Sequence, residues 1–244
     1  MTNPTFVFST GAWIRSEFFD EIRSKLIALG FPTECKSHPS IGAEPPTKTL
    51  ADDTASQRDF LTQLADEGRD LIVVAHSYGG VVTSSSVEGL DKATREKEGK
   101  TGGVVKVVYM AAFALDKGNS LLDMLGGKPL PFMHIDGDYV RFVGDATTNP
   151  WLDIPEEDQQ KWGALTTHTS RLVFGGECTY EPWHDIPSAY IICEKDQNLP
   201  PPLQELFAAK LAGPDKTFRL PSSHSPFLSM PDRLAEILQK IAKE

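Results

Sequence analysis

Four short runs of nearly unbroken apolar residues constrain this chain more than any other feature: Thr5 to Ser9 (TFVFS), Asp70 to Ala75 (DLIVVA), Val104 to Met110 (VVKVVYM) and Ala189 to Cys193 (AYIIC). A strand apolar on both sides must be covered on both sides. Between these runs the apolar residues recur every three or four positions, as in Phe19, Ile22, Leu26 and Leu29 before Gly30. Buried strands alternating with amphipathic helices indicate a mostly parallel sheet flanked by helices, an α/β fold.

The rest of the chain extends the alternation. A second strand is expected around Pro32 to Lys36, then a loop, then a helix carrying Phe60, Leu61 and Leu64. VVTSSSVEGL reads as a helix, Leu203, Leu206, Phe207 and Leu211 mark another, and TFRL is the last strand. Leu234, Ile237, Leu238 and Ile241 form a closing helix, with Ser229 and Asp232 spaced as a capping box. The rhythm breaks only between Ala114 and Pro187, where Gly, Pro and aromatics accumulate and one helix signal starts at Pro155. An α/β core formed by residues 1–113 and 188–244, with residues 114–187 inserted as a cap, accounts for this pattern.

At 244 residues the chain is long enough to bury about 70% of its unfolded surface, leaving about 10,800 Å² exposed without help from disulfides or metals. Its net charge of −10 argues against a nucleic-acid backbone as partner and mildly favours a neutral small molecule over a polyanion. The one dense charge run, DKATREKEG from Asp91, alternates in sign and reads as a solvated helix end. The first ten residues lack the basic flank of a signal peptide, and no apolar run approaches the ~18 residues of a membrane span. Cys35, Cys178 and Cys193 are odd in number and irregularly spaced, which suggests buried thiols in a cytoplasmic protein, not a disulfide framework or a zinc site.

The turn AHSYGG, Ala75 to Gly80, carries the chemistry. A serine between a strand and a helix, with small residues two positions away on each side, fits a nucleophile elbow with Ala75 in the first glycine place. An ordinary glycine-rich βα turn is the competing reading, but neither GxGxxG nor the lysine of a phosphate-binding loop is present. The turn sets the N–H of Tyr78 at a helix start, where it can meet a developing oxyanion. A serine hydroxyl also needs a base and an acid that orients that base. His224, after the last strand, and Asp196, after AYIIC, complete the order Ser77, Asp196, His224. Asp116 is the rival acid, because it too follows a strand. His76 should point away from Ser77, and His38, His134 and His184 read as structural or surface groups.

The segments FVFSTGAW, TLADD, VVAHSYGG, MAAF, WHDIPSAYIICEKDQNLP and SSHSPFLSMPDRL resemble those of compact bacterial and fungal α/β-hydrolases related to the plant methylesterases and hydroxynitrile lyases. The resemblance implies the α/β-hydrolase fold and pairs the N–H of Ala12 with that of Tyr78 as the oxyanion hole. It also separates two reaction types. The lyases of that group carry a lysine directly after the catalytic histidine, where this chain has Ser225.

The expected activity is therefore cleavage of an ester, lactone or thioester of a small, largely apolar molecule, without metal or organic cofactor. A non-hydrolytic enzyme on the same fold, cleaving a carbon–carbon bond or acting as a lyase, is the alternative, followed by a catalytically silent binding protein. Trp13, Phe113, Phe132, Trp151, Trp162 and His168 are the candidate pocket residues, although aromatics at such spacings also serve as ordinary core.

Overall fold

A computed structural model describes residues 3–144, 148–211 and 213–244 of the chain. The strands are β1 (Thr5–Ser9), β2 (Thr33–Lys36), β3 (Asp70–His76), β4 (Gly103–Met110), β5 (Met133–Asp136), β6 (Tyr139–Phe142), β7 (Thr169–Ser170), β8 (Ser188–Cys193) and β9 (Thr217–Leu220). The α-helices are α1 (Asp20–Ala28), α2 (Leu50–Asp66), α3 (Gly79–Ser86), α4 (Lys92–Lys97), α5 (Leu121–Met124), α6 (Glu156–Ala164), α7 (Pro201–Leu211), α8 (Pro226–Ser229) and α9 (Pro231–Lys243).

Among the described residues, six strands form one sheet in the order β2-β1-β3-β4-β8-β9, every neighbouring pair parallel. The period-two alternation of each strand divides its apolar side chains between two cores. Phe6, Phe8, Ile72, Val74, Val108 and Ile191 face one way and pack with Ile22, Leu26, Leu234 and Leu238 from α1 and α9. Val7, Leu71, Val73, Val107 and Ile192 face the other way and meet Leu61, Leu64, Val81 and Phe207 from α2, α3 and α7. The accessible surface is 10555 Å², close to the value that size scaling predicts.

Residues between β4 and β8 add a feature absent from the sequence reading: an antiparallel sheet, β5-β6-β7. The expected helix after Pro155 is there as α6.

Three local expectations change. Ser229 and Asp232 form no capping box; α8 ends at Ser229, Pro231 occupies the first turn of α9, and the buried Ser229 hydroxyl has no partner among the described residues. The helix after the elbow stops at Ser86, and the charge run forms a separate helix, α4, capped by Asp91, whose Oδ1 accepts from the Thr94 N–H. Arg95 in that run is buried, donating to Asp66 (2.7 Å) and to the Gly102 carbonyl (3.1 Å). Cys178 and Cys193 are buried free thiols, whereas Cys35 is only half-buried.

Candidate active site

The loops that leave the carboxyl ends of β1, β3, β4, β8 and β9 converge on one side of the sheet. Ser77 follows β3 directly and has φ 54°, a left-handed conformation that costs a non-glycine residue energy and turns its side chain out of the strand. The turn tolerates only small neighbours. A Cβ on Gly79 would lie 2.5 Å from the Thr10 carbonyl, and one on Gly80 would lie 2.2 Å from the Phe113 carbonyl. Tyr78 caps α3, and its phenol points away from the cavity to donate to Asp53 (2.7 Å).

Asp196 is fully buried, and its carboxylate accepts four hydrogen bonds. Oδ1 takes the N–H groups of Asn198 (2.8 Å) and Leu199 (3.0 Å), while Oδ2 takes Gln204 Nε2 (3.0 Å) and His224 Nδ1 (2.6 Å). A carboxylate at Nδ1 fixes the proton on that nitrogen and leaves Nε2 with a free lone pair.

The histidine loop is held from both sides. Ser223 donates its backbone N–H to Asp153 (2.8 Å) and its hydroxyl to Asp153 and the Pro150 carbonyl. His76 donates from Nε2 to the His224 carbonyl (2.9 Å), and its ring lies 4.6 Å from that of His224. Burial, then the neighbouring His224, hold the His76 imidazole well below its usual pKa. Among the described residues, its buried Nδ1 has no partner.

Ser77, His76, His224, Ala12 and Tyr78 border one cavity enclosing about 710 Å³, part of it open to solvent. Among the described residues, the Ser77 hydroxyl and the N–H groups of Ala12 and Tyr78 have no hydrogen-bond partner in the protein, and all three residues border the cavity. Among the described residues, no Asp, Glu, Lys or Arg lines the cavity. Such a wall favours uncharged groups, because a buried unpaired charge is costly.

Four of the six candidate pocket residues, Trp13, Phe113, Phe132 and Trp151, line this cavity. Trp162 and His168 do not. Trp162 packs on Phe18 beneath the wall (4.8 Å), and His168 turns away, its Nε2 on the Ala43 carbonyl (2.8 Å) and its ring against Tyr139 (4.8 Å). Asp116, the rival acid, is exposed and paired with Lys210. His76 does not point away as expected; it stands between the elbow and the histidine loop.

The sequence reading missed Leu121, Leu125, Leu130, Met133, Phe142, Phe174, Asn198 and Leu199 as lining residues. The hairpin signal IDGDYV, with Gly137 at φ 58°, would have located Met133 and Phe142 on paired strands.

A hydrolase of Aspergillus novofumigatus, named alpha/beta hydrolase nvfD, is 27% identical over 248 residues, covering 100% of this chain and 98% of that protein. A pyrethroid hydrolase from Sphingobium faniae superposes with a TM-score of 0.73 at 22% identity, over 98% of this chain and 97% of the other. Polyneuridine aldehyde esterase does so with a TM-score of 0.77 at 17% identity, over 98% and 99%. The model of the alpha/beta hydrolase family matches residues 6–237, nearly the whole chain, and the chain belongs to that family.

Proposed function

We propose that this protein is a serine hydrolase that cleaves an ester, lactone or thioester of a small, largely apolar molecule through an acyl-enzyme on Ser77. The observation that carries the reading is the shared cavity: an outward-turned serine, an imidazole held by a buried carboxylate at Nδ1, and two unpartnered backbone N–H groups.

In this reading the Ser77 Oγ attacks the acyl carbon while its proton passes to His224 Nε2. Asp196 stabilises the resulting imidazolium. Negative charge on the carbonyl oxygen is met by the N–H groups of Ala12 and Tyr78, each such donor being worth on the order of 10² to 10³ in turnover. Collapse of the adduct breaks the acyl–oxygen or acyl–sulfur bond, and the leaving group takes the proton from His224. Water, deprotonated by the same Nε2, then attacks the acyl carbon and releases the acid. No cofactor enters these steps. Residues 114–187 act as the cap that sets specificity, because Phe132, Phe142, Trp151 and Phe174 come from them. Ser225 also lines the cavity where a lyase of the related group would carry its lysine, which favours hydrolysis. Three free thiols make the reducing cytoplasm the expected location.

Labelling with a fluorophosphonate tests the nucleophile. Wild-type protein should label and Ser77→Ala should not, with hydrolysis of an activated aryl ester lost in parallel. Folded wild-type protein that stays unlabelled would sink the proposal.

A further inference from the structure

Trp13 adopts φ 67°, and among the described non-glycine residues only Ser77 and Ala111 share a positive φ. Left-handed backbone at a bulky residue persists only where the surroundings over-determine it. The surroundings of Trp13 do so. Its backbone N–H donates to Thr169 Oγ1 (2.9 Å), its indole Nε1–H donates to the Val140 carbonyl (2.9 Å), and its carbonyl accepts from the Thr167 N–H (3.0 Å). Val140 and Thr169 are cross-strand partners between β6 and β7, so one rung of the inserted sheet captures both N–H groups of the tryptophan.

The residue before Trp13 is Ala12, which borders the cavity and whose N–H has no hydrogen-bond partner among the described residues. Fixing the Trp13 N–H fixes the plane of the Ala12–Trp13 peptide, and thereby the torsion that aims Ala12. The same indole forms part of the cavity wall, with Phe142 at 5.7 Å, Phe174 at 6.0 Å and Phe132 at 6.1 Å between ring centroids. One side chain thus joins the substrate-facing wall to the loop that carries an oxyanion donor.

We propose that Trp13 is a positioning residue through which the Val140–Thr169 rung of the inserted sheet aims the Ala12 N–H at the reacting carbonyl, so that the inserted segment contributes to turnover as well as to substrate fit. The inference rests on the reading of Ser77 as an acylated nucleophile.

Thr169 allows a clean test because it is fully buried and does not line the cavity. Thr169→Val keeps its shape but removes the acceptor, leaving the Trp13 N–H unsatisfied. Thr169→Ser keeps the acceptor. Misaiming a donor costs less than deleting one, so on a single activated aryl ester Thr169→Val should lower kcat on the order of tenfold with KM within about twofold of wild type. Thr169→Ser should restore most of that loss, and Trp13→Phe, which lacks the indole donor and the larger ring, should lower kcat and raise KM together. A folded Thr169→Val enzyme with wild-type kcat would overturn the inference, as would a Thr169→Ser enzyme equally slow. Should Thr169→Val not fold, a Trp13→Phe enzyme with unchanged kcat overturns it instead. Wild-type protein that refuses the fluorophosphonate defeats the nucleophile reading itself, whereas normal labelling with an indifferent Thr169→Val defeats only the role of Trp13.

Discussion

Asp196 is an anion with no exposed surface, and its four hydrogen bonds are what make that burial tolerable. Three of them come from Asn198, Leu199 and Gln204, so the carboxylate is aimed before His224 arrives. Asp196→Asn preserves the shape but presents an amide that can donate to Nδ1, which favours the tautomer protonated on Nε2, with no lone pair for the serine proton. Turnover of an activated ester should drop on the order of 10⁴, as expected when the orienting acid of a triad is neutralised. Asp116→Asn, in an exposed pair with Lys210, should leave activity within about twofold and stability within ~0.5 kcal/mol. The reverse pattern, measured on the same ester, would exchange the two assignments. Sequence position alone put both aspartates after strands. What separates them is the backbone of the 196–199 turn and a glutamine eight residues downstream, and neither has a sequence signature for carboxylate binding.

The elbow is held from behind by a polar contact between elements. Tyr78 reaches from the start of α3 to Asp53 on α2, a fully buried carboxylate that also accepts from the Ser40 N–H (2.9 Å) and the Ser40 hydroxyl (2.6 Å). Tyr78→Phe keeps the backbone N–H but withdraws one of three donors from a buried anion, so unfolding free energy should fall by about 1–3 kcal/mol in denaturant melts. An unchanged midpoint would show the contact to be dispensable. Turns and strands of the main sheet were legible because each obeys a local rule: period-two burial, a stop at glycine, small residues at Gly79 and Gly80 where backbone passes within 2.6 Å of a would-be Cβ. Strands β5 and β6 were marked only by their shared turn, IDGDYV, and β7, two residues long, is defined only by pairing with β6 across some 30 residues, as Ser170 does with Tyr139. His168 was misplaced for the same reason, since it directly precedes β7, whereas Trp162 sits on α6 and turns to Phe18.

Across the molecule, the polar contacts behind the site set a pH limit on the fold. His38 and His76 are both buried, and burial is the main force lowering each imidazole below its ordinary pKa. The His38 Nε2 meets the Ser9 hydroxyl (3.3 Å) and the Thr10 carbonyl (3.2 Å), so it supports the strand end that leads to Ala12. Unfolded, both histidines take up protons near pH 6.5, while the folded protein keeps them neutral to a lower pH. The unfolded state therefore binds more protons in that window, and stability, complete above about pH 6.5, declines as the pH falls toward the folded values. Each histidine contributes a slope of up to about 1.4 kcal/mol per pH unit. The paired carboxylates Asp52, Asp123 and Glu181, whose pKa values are also lowered, contribute with the same sign but only below about pH 4.5, so the two losses are separable. Urea melts between pH 8 and 5 should show the wild-type midpoint steady to about 6.5 and then falling, with a shallower decline in His38→Gln. If the midpoint is flat from pH 7 to 5, or if His38→Gln declines as steeply as wild type, the neutral buried imidazoles do not set the acid limit.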